Sequence, residues 1–164
     1  MAFHLRHGEQ VALAPGGWAR VDDVLAELGT RVSRDELLAV VASGDKPRFE
    51  LSIDGTLVRA RYGHSRDVDL RYEPTAPPPI LYHGTATTVV PVVLREGVRR
   101  QGRRYVHLSE TVDTATQVGA RHGVPAVLHV AAGDMAADGH RFFNAAAGIW
   151  LTDVVPARYL DVGG

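Results

Sequence analysis

Residues 73–79 read EPTAPPP, and four prolines within six positions favour a stiff, extended connector over a helix or a sheet interior. This stretch lies near the middle of the 164-residue chain. We therefore predict two small domains, residues 1–73 and residues 80–164, joined by a linker at 74–79. The formal net charge is only −1, so a site for a polyanion must be a local cluster of basic side chains.

The composition excludes several kinds of site. The chain has no cysteine, which excludes a disulfide framework, a thiol nucleophile and a cysteine-ligated zinc. The histidines form no His-x-x-x-His pair, and His4 and His7 lie at an end that we expect to be mobile, so we expect no metal site. The N-terminus is too polar for a signal peptide, and no apolar run is as long as a membrane helix. We therefore expect a soluble, cytoplasmic protein without a membrane partner.

Two segments in the first part are predicted to be helices. Apolar residues recur at helical spacing over residues 21–28, and Gly29 supplies a natural C-terminal stop. Ser33 and Glu36 have the spacing of a capping box, in which each side chain bonds the backbone N–H of the other residue. A second helix is therefore predicted to begin after Ser33 and to include the apolar run at residues 37–41.

A hairpin is predicted to follow these helices. Apolar and polar residues alternate over residues 49–54, and the pair Asp54-Gly55 is typical of a tight two-residue turn. Residues 56–62 would form the returning strand. Helices closed by a hairpin suggest a winged-helix-like unit, which is a common reader of nucleic acids.

The second part alternates short apolar strands with helical stretches, which predicts an α+β lobe. The predicted strands are residues 80–83, 105–108, 126–130, 142–143 and 149–151, and the predicted helices are residues 87–96 and 111–122. Pro91 lies near the start of the first helix, and Gly123 directly follows the second.

Two strand ends in this part carry residues suited to ligand binding. His83-Gly84-Thr85 follows one predicted strand and precedes a helix, and the glycine would let a ligand approach the backbone. The next strand ends at His107-Leu108-Ser109, where Ser109 is equally an N-cap for the following helix. Simple strand-to-helix turns explain both motifs as well as a shared ligand cleft does.

Arginine supplies 17 of the 18 basic residues, and its planar guanidinium binds phosphate through two parallel hydrogen bonds. Arg6 and His7 would hold a phosphate with one permanent and one titratable charge, unless the N-terminus is simply solvated. Arg59 and Arg61 alternate along the returning strand and so share one of its faces. Arg121 closes a predicted helix, where a basic side chain also offsets the helix dipole.

One dense basic run occurs, RRQGRR at residues 99–104. A contact with an RNA backbone and a surface loop that balances nearby acids are equally good interpretations of it. After residue 80 the only glutamates are Glu96 and Glu110. A reaction that needs a carboxylate would have to use one of these two or an aspartate.

Seven short stretches follow one another along nearly the whole chain. They are LRH at 5–7, GWARVDD at 17–23, VRARYGHS at 58–65, LYHGT at 81–85, VHLS at 106–109, VGARHG at 118–123 and GIWLT at 148–152. Each stretch is weak alone, but the seven in this order are specific. Together they resemble the RNA (tRNA) 2′-phosphotransferase family.

The resemblance implies an N-terminal winged-helix-like lobe that binds RNA, followed by an ADP-ribosyltransferase-like mixed α/β lobe that binds NAD⁺. It also implies a two-step reaction, in which an internal RNA 2′-phosphate displaces nicotinamide from C1″ of NAD⁺ and the ribose 2″-hydroxyl then attacks the phosphorus. The products would be 2′-hydroxyl RNA, nicotinamide and ADP-ribose 1″,2″-cyclic phosphate. The expected partners are therefore NAD⁺ and RNA with an internal 2′-phosphate, and we expect a monomer that needs no metal.

The resemblance also implies particular site residues. The catalytic Arg-His-Arg-Arg tetrad of the family falls on Arg6, His7, Arg59 and Arg121. Arg59 is chosen over Arg61 because the family arginine lies five residues before the histidine of the Gly-His-Ser motif, here His64. The family's NAD⁺ contacts fall on His83, Gly84, Thr85, His107, Leu108 and Ser109, and Ile149 lies where related transferases place a glutamate.

The sequence departs from the family pattern in three places. Only five residues precede Arg6, Glu9 replaces a proline, and Ala145–Ala147 replaces a serine-x-asparagine sequence. Two other functions remain open: an ADP-ribosyltransferase of the same fold that modifies nucleic-acid terminal phosphates, and a non-catalytic winged-helix binder that senses NAD⁺. Formation of the cyclic phosphate product would exclude the first alternative, and release of nicotinamide would exclude the second.

Overall fold

The computed structural model describes residues 1–43, 47–146 and 148–163. Lys46, the single lysine of the chain, and Ala147 lie outside these described residues. Helices and strands are mixed along the described parts, which confirms the predicted α+β class. No helix in these parts is long and apolar enough to cross a membrane.

The chain divides into two compact units. Unit 1 consists of Met1–Tyr72 together with Gly102–Arg104, and unit 2 consists of Glu73–Gln101 together with Tyr105–Gly164. Part of the predicted basic run therefore belongs to unit 1 although its neighbours in sequence belong to unit 2. The domain bounds that we inferred from the proline-rich stretch stay a prediction.

Unit 1 combines helices with a small antiparallel sheet. Its elements are α1 (Ala2–Arg6), β1 (Trp18–Arg20), α2 (Val21–Leu28), α3 (Arg34–Ala42), β2 (Phe49–Leu51) and β3 (Leu57–Ala60). The strands are ordered β1-β3-β2. The hydrophobic core of unit 1 contains the buried residues Leu5, Val11, Ala19, Val21, Val24, Leu37, Val58 and Ala60.

Local signals account for the two helices predicted in unit 1. α2 buries Val21 and Val24 on its apolar face and ends at Gly29, whose φ of 68° is a left-handed conformation that favours glycine. At the start of α3, the Ser33 side chain accepts the N–H of Glu36, and the Glu36 carboxylate accepts the N–H of Ser33. Both predicted helices, including the capping box, are confirmed.

The N-terminus is packed into unit 1, so the expectation of a mobile end is wrong. Leu5 is completely buried in the core. Arg66 holds the next turn, because its Nη1 donates to the carbonyl of Gly8 at 2.8 Å and to the carbonyl of Val11 at 3.2 Å. α1 has only five residues and would not be stable alone. Burial and these hydrogen bonds therefore fix the segment that carries Arg6 and His7.

The predicted hairpin forms, but its turn is longer than expected. The N–H of Ser52 donates to the carbonyl of Leu57 at 3.0 Å, which closes a loop of residues 53–56. The two-residue turn at Asp54-Gly55 is therefore wrong. The Asp54 carboxylate accepts hydrogen bonds within the loop, and Ile53, which was expected in the strand, is fully exposed. Hydrogen bonds of side chains within the loop therefore stabilise a four-residue turn in place of the two-residue turn that Asp54-Gly55 predicts.

Unit 2 is built around a larger antiparallel sheet. Its strands are β4 (Leu81–Ala86), β5 (Val98–Arg99), β6 (Val106–Ser109), β7 (Pro125–Val130), β8 (Phe142–Ala146), β9 (Ile149–Thr152), β10 (Val154–Val155) and β11 (Leu160–Asp161). Its helices are α4 (Val90–Glu96), α5 (Val112–Gly119) and α6 (Ala132–Ala137). The main sheet is ordered β11-β7-β4-β6-β9-β8, and β10 pairs separately with β5. Every strand and helix predicted for this part is present, with some shifted ends.

β4 is longer than predicted, which changes the interpretation of its glycine. The strand pairs with β7 from Leu81 to Ala86, so the tripeptide at 83–85 lies inside a strand and not in a turn after it. A Cβ atom at Gly84 would lie 1.8 Å from the carbonyl oxygen of Ala115 in α5. The close packing of α5 against the strand, rather than the approach of a ligand, therefore explains the glycine.

α5 is shorter than the predicted helix at 111–122. Thr111 caps its first turn through its side chain, whereas Ser109 ends β6 and is not the cap. The helix ends at Gly119, so Arg121 lies in the turn beyond it. The interpretation of Arg121 as a charge in the last helical turn is therefore wrong.

The proline-rich stretch is bonded to unit 2 through its backbone. All of residues 73–79 are described, and they contain neither helix nor strand. The N–H of Thr75 donates to the carbonyl of Phe142 at 2.8 Å, and the carbonyl of Pro79 accepts the N–H of Gly133 at 3.0 Å. Backbone hydrogen bonds therefore attach the stretch to unit 2 at both of these points, and its extended conformation stays a prediction.

Candidate active site

Arg6 is a half-buried cation with unused hydrogen-bond donors. Its guanidinium lies 5.6 Å from the ring centre of Phe49 and 5.3 Å from that of Tyr62. Its Nε and Nη2 are buried and have no hydrogen-bond partner among the described residues. Burial lowers the pKa of Arg6, yet a guanidinium keeps its charge in proteins. A buried charge with free donors is costly, so this arrangement favours an anionic ligand.

His7 is held in place by the Gly-His-Ser motif. Its Nδ1 lies 2.9 Å from the hydroxyl oxygen of Ser65, and the N–H of Ser65 donates to the carbonyl of Arg6 at 3.1 Å. The ring itself is exposed. Ser65 thus fixes both residues of the predicted phosphate pair, and Nε2 is the nitrogen of His7 that Ser65 does not engage.

His64 lies near several basic residues of unit 1. Only 3% of it is exposed, and neither ring nitrogen has a hydrogen-bond partner among the described residues. Burial is the main cause that lowers its pKa to about 4, and the charges of Arg6, His7, Arg66 and Arg59 lower it further. Three members of the predicted tetrad therefore surround a neutral histidine. The sequence did not predict His64 as a site residue. The Gly-His-Ser motif, which contains it, was the one signal that could have indicated it.

Arg59 is packed into unit 1 and is mostly buried. Its Nε and Nη2 donate to Oε2 of Glu50 at 2.8 and 2.7 Å, and 13% of its side chain is exposed. Its other partners are the carbonyls of Gly16 and Leu70, at 3.1 and 3.2 Å, and the rings of Trp18 and Tyr72. These contacts occupy most of its donors. Its predicted role as a phosphate ligand stays a prediction, but its packing is structural.

Arg61 has more unused hydrogen-bonding capacity than Arg59. Its Nε is buried without a partner among the described residues, and its Nη2 lies 3.9 Å from Glu50. About 31% of its side chain is exposed. Arg59 lies in β3 and Arg61 directly follows the strand, and both guanidiniums approach the carboxylate of Glu50.

Arg121 belongs to unit 2, and the other three tetrad residues belong to unit 1. Its side chain is exposed in the turn after α5. The adjacent His122 lies close enough to His83 that its charge lowers the pKa of His83, although burial is the larger cause. Within unit 2, the structure thus brings the turn that carries Arg121 near one predicted NAD⁺ residue.

The predicted NAD⁺ residues cluster where β4 and β6 separate. These strands share one registered pair, Tyr82 with Ser109, and beyond it Nδ1 of His83 lies 3.5 Å from the carbonyl oxygen of His107. β6 continues in register with β9, which pairs Ser109 with Ile149. Beyond that single pair, the edge of β4 at His83 and Thr85 has no registered partner in β6.

The burial of these residues differs along the two strands. Thr85 and Ser109 are buried, and His83, His107 and Ile149 are half-buried. Leu108 is only 1% exposed and belongs to the hydrophobic core of unit 2. A contact from the position of Leu108 would therefore come from its backbone.

Both glutamates after residue 80 are already engaged. Oε1 of Glu110 accepts the indole N–H of Trp150 at 2.7 Å, and Glu96 pairs with Arg95 at 2.7 Å. In the described part of the chain, no cluster of three or more His, Asp or Glu side chains could hold a metal ion.

A family model described as RNA 2′-phosphotransferase, Tpt1 / KptA family, matches residues 1–154. This chain belongs to that family. It is 50% identical to a probable RNA 2′-phosphotransferase of Agrobacterium fabrum, over 99% of this chain and 90% of that protein. Proteins of the same description from Streptomyces coelicolor and Trichormus variabilis are 48% and 43% identical, over 98% and 99% of this chain and 90% and 92% of theirs. The resemblance inferred from the seven stretches is confirmed.

In this member of the RNA 2′-phosphotransferase family, the basic run is divided between two roles. Arg104 pairs with Asp67, and its N–H donates to the carbonyl of His64 at 3.2 Å. Arg103 is exposed, and its charge contributes to lowering the pKa of Arg6, for which burial is the main cause. Arg104 thus balances an acid, and Arg103, which precedes it, adds positive charge near Arg6.

Proposed function

We propose that this protein is an NAD⁺-dependent RNA 2′-phosphotransferase, which moves an internal 2′-phosphate from RNA to NAD⁺. Membership of the family supports the transferase class. The observation that carries the proposal is Arg6, whose buried Nε and Nη2 lack partners among the described residues. A phosphate oxygen would satisfy these donors, and the adjacent His7 has a ring nitrogen free for proton transfer.

The proposed reaction has two steps. In the first, an oxygen of the RNA 2′-phosphate forms a bond to C1″ of the nicotinamide ribose, and nicotinamide leaves as a neutral molecule. In the second, the ribose 2″-hydroxyl loses its proton and attacks the phosphorus, and the RNA 2′-oxygen leaves and takes up a proton. The products are 2′-hydroxyl RNA and ADP-ribose 1″,2″-cyclic phosphate. Since both steps need positioning and charge neutralisation, arginines are suited to them.

We assign unit 1 as a winged-helix-like lobe that binds RNA. Its α2, α3 and the hairpin of β2 and β3 support this assignment, since such units present helices and a small sheet to nucleic acids. In this lobe, Arg6 would hold the 2′-phosphate, and His7 would exchange the proton of the second step. Arg59 would act by holding β3 and its neighbours in place.

We assign unit 2 as an ADP-ribosyltransferase-like lobe that binds NAD⁺. The separation of β4 and β6 after Tyr82 and Ser109 supports this assignment, because the backbone of β4 beside His83 has no registered partner in β6. Backbone donors and acceptors are suited to an amide and to ribose hydroxyls. Arg121 would supply a further positive charge from the same lobe, next to His122 and His83.

The direct test is to incubate the protein with NAD⁺ and an oligoribonucleotide that carries one internal 2′-phosphate. We expect the RNA to lose one phosphate, with release of nicotinamide and of the cyclic phosphate, all identified by mass. The same oligonucleotide without its 2′-phosphate is the matched control and should give no nicotinamide.

Other products would reject the proposal. RNA that keeps an attached ADP-ribose as the final product would indicate a transferase that modifies nucleic-acid phosphates. Binding of NAD⁺ without any release of nicotinamide would indicate a non-catalytic sensor. A single set of mass spectra therefore separates the three functions.

A further inference from the structure

Arg48 lies beside Arg6 although the predicted tetrad does not include it. It directly precedes Phe49, whose ring contacts the Arg6 guanidinium. Its carbonyl accepts the N–H of Arg61 at 3.0 Å, which fixes its backbone next to β3. Its side chain is exposed, and its charge is among the causes, after burial, that lower the pKa of Arg6.

Arg103 also lies near Arg6, although the two residues are far apart in the sequence. The next residue, Arg104, bonds the carbonyl of His64 through its N–H at 3.2 Å, and its side chain pairs with Asp67. These two contacts hold residues 102–104 on unit 1. Arg103 is exposed there, and its charge, like that of Arg48, contributes to lowering the pKa of Arg6.

The positive charges around His64 are only partly balanced. Arg59 has Glu50 as its partner, and Arg104 has Asp67. Near Arg6, the guanidiniums of Arg48 and Arg103 form no ion pair with any carboxylate in residues 1–43, 47–146 or 148–163, and neither does that of Arg6 itself. Arg66 also lacks a carboxylate partner, but its Nη1 donates to the carbonyls of Gly8 and Val11. Such an excess on a protein of net charge −1 indicates a local site for a polyanion.

We propose that Arg48 and Arg103 bind the 3′,5′-phosphodiester next to the 2′-phosphate, while Arg6 and His7 hold the 2′-phosphate itself. This inference rests on the proposed RNA 2′-phosphotransferase function. A 2′-phosphate carries close to two negative charges at neutral pH, and the adjoining diester carries one. The diester would supply the anion that Arg48 and Arg103 lack, whereas a terminal 2′-phosphate without a 3′ diester would leave both of them without one. Arg48 and Arg103 therefore select an internal 2′-phosphate over a terminal one.

The test compares two oligoribonucleotides of equal length, one with the 2′-phosphate on an internal ribose and one with it on the 3′-terminal ribose. Their binding is measured by fluorescence anisotropy without NAD⁺, so that the readout does not depend on catalysis. We expect the wild type to bind the internal form about tenfold more tightly, as one charge-assisted contact predicts. The double variant Arg48→Ala/Arg103→Ala should lose this preference and bind the terminal form within about twofold of the wild type.

Two control variants separate a specific contact from net charge. Arg20→Ala/Arg31→Ala removes the same charge from exposed positions of unit 1 and should keep the preference. Arg48→Lys/Arg103→Lys should keep most of it, since each lysine still offers a charge. A salt titration adds a second readout, because loss of one phosphate contact should lower the slope of log Kd against log salt by about 0.7.

The outcomes also separate this inference from the proposed function. Equal binding of the two oligonucleotides by the wild type overturns the inference, as does an equal loss for both in the alanine variant. A retained preference in the alanine variant overturns it too. If the wild type prefers the internal form but releases no nicotinamide with NAD⁺, the proposed function fails and the two-phosphate site stands.

Discussion

The Nδ1 atom of His7 lies 2.9 Å from the hydroxyl oxygen of Ser65. This contact fixes the orientation of an exposed ring through one nitrogen and leaves Nε2 for a substrate. A histidine fixed in this way can transfer a proton in one defined direction. The proposed reaction moves protons mainly in its second step, so the two steps should respond differently to the loss of His7.

We expect His7→Ala to release nicotinamide but to accumulate RNA with ADP-ribose on its 2′-phosphate. The first step uses an anionic nucleophile and a neutral leaving group, whereas the second needs proton transfer that a positioned side chain accelerates by about 10²–10⁴-fold. A single-turnover time course analysed by mass would detect the intermediate. If both steps slow and no intermediate appears, His7 only positions the phosphate.

We expect Arg59→Ala to destabilise the protein by about 2–3 kcal/mol, because it leaves Glu50 without its main partner in a largely buried place. Arg61→Ala, two residues further along the chain, is the matched control and should cost less than about 1 kcal/mol, since its ion pair is longer and more exposed. Urea unfolding of both variants measures the difference. Equal stabilities would show that the packing of Arg59 between Trp18 and Tyr72 contributes little.

We expect Gly84→Ala to prevent normal folding of unit 2. The new Cβ would lie 1.8 Å from the carbonyl oxygen of Ala115, so α5 would have to move away from β4. Gly102→Ala is the control, because nothing lies within 4 Å of a Cβ at that position. Thermal unfolding followed by circular dichroism compares the two variants, and a Gly84→Ala protein as stable as the wild type would contradict the packing described for α5.

We expect the protein to lose stability in acid through His64. Its pKa is about 4 in the folded protein and near 6.5 when unfolded, so the unfolded chain binds the proton more tightly. The contribution of the neutral ring is therefore complete above about pH 6.5 and is lost as the pH falls towards 4. Urea unfolding at several pH values should give a smaller loss for His64→Gln than for the wild type. Parallel curves would contradict the buried, neutral state of His64.

We expect the phosphotransferase activity to need no metal ion. Guanidiniums supply the positive charge that a divalent cation would otherwise bring to a phosphate. Activity should be unchanged after EDTA treatment and after addition of Mg²⁺. Loss of activity in EDTA with recovery in Mg²⁺ would reject this expectation.

Segments with strong local signals were predictable from the sequence. The capping box of Ser33 and Glu36 and the glycine at the end of α2 determine helix ends by themselves, so both helices were found. β1 has only three residues and exists because Trp18–Arg20 pairs with β3, which no local pattern reveals. Gly84 also looked like a turn residue, because its actual neighbour, Ala115, is distant in sequence.

The candidate site was predictable only where a family motif marked it. The motifs identified Arg6 and His7, but composition and spacing could not show that Ser65 holds them or that His64 lies among their charges. Arg48 and Arg103 carry no motif, and only the fold brings them to Arg6. Long-range packing therefore determined most of the electrostatics of unit 1.

The discontinuous course of the chain has a consequence for biosynthesis. Unit 1 includes Gly102–Arg104, and the carbonyl of His64 receives its hydrogen bond from the N–H of Arg104. A ribosome that has made only the first 72 residues has therefore not yet made all of unit 1. Its last contacts form after the beginning of unit 2 has been synthesised, so a single recombination at the proline-rich stretch would not transfer this lobe intact to another protein.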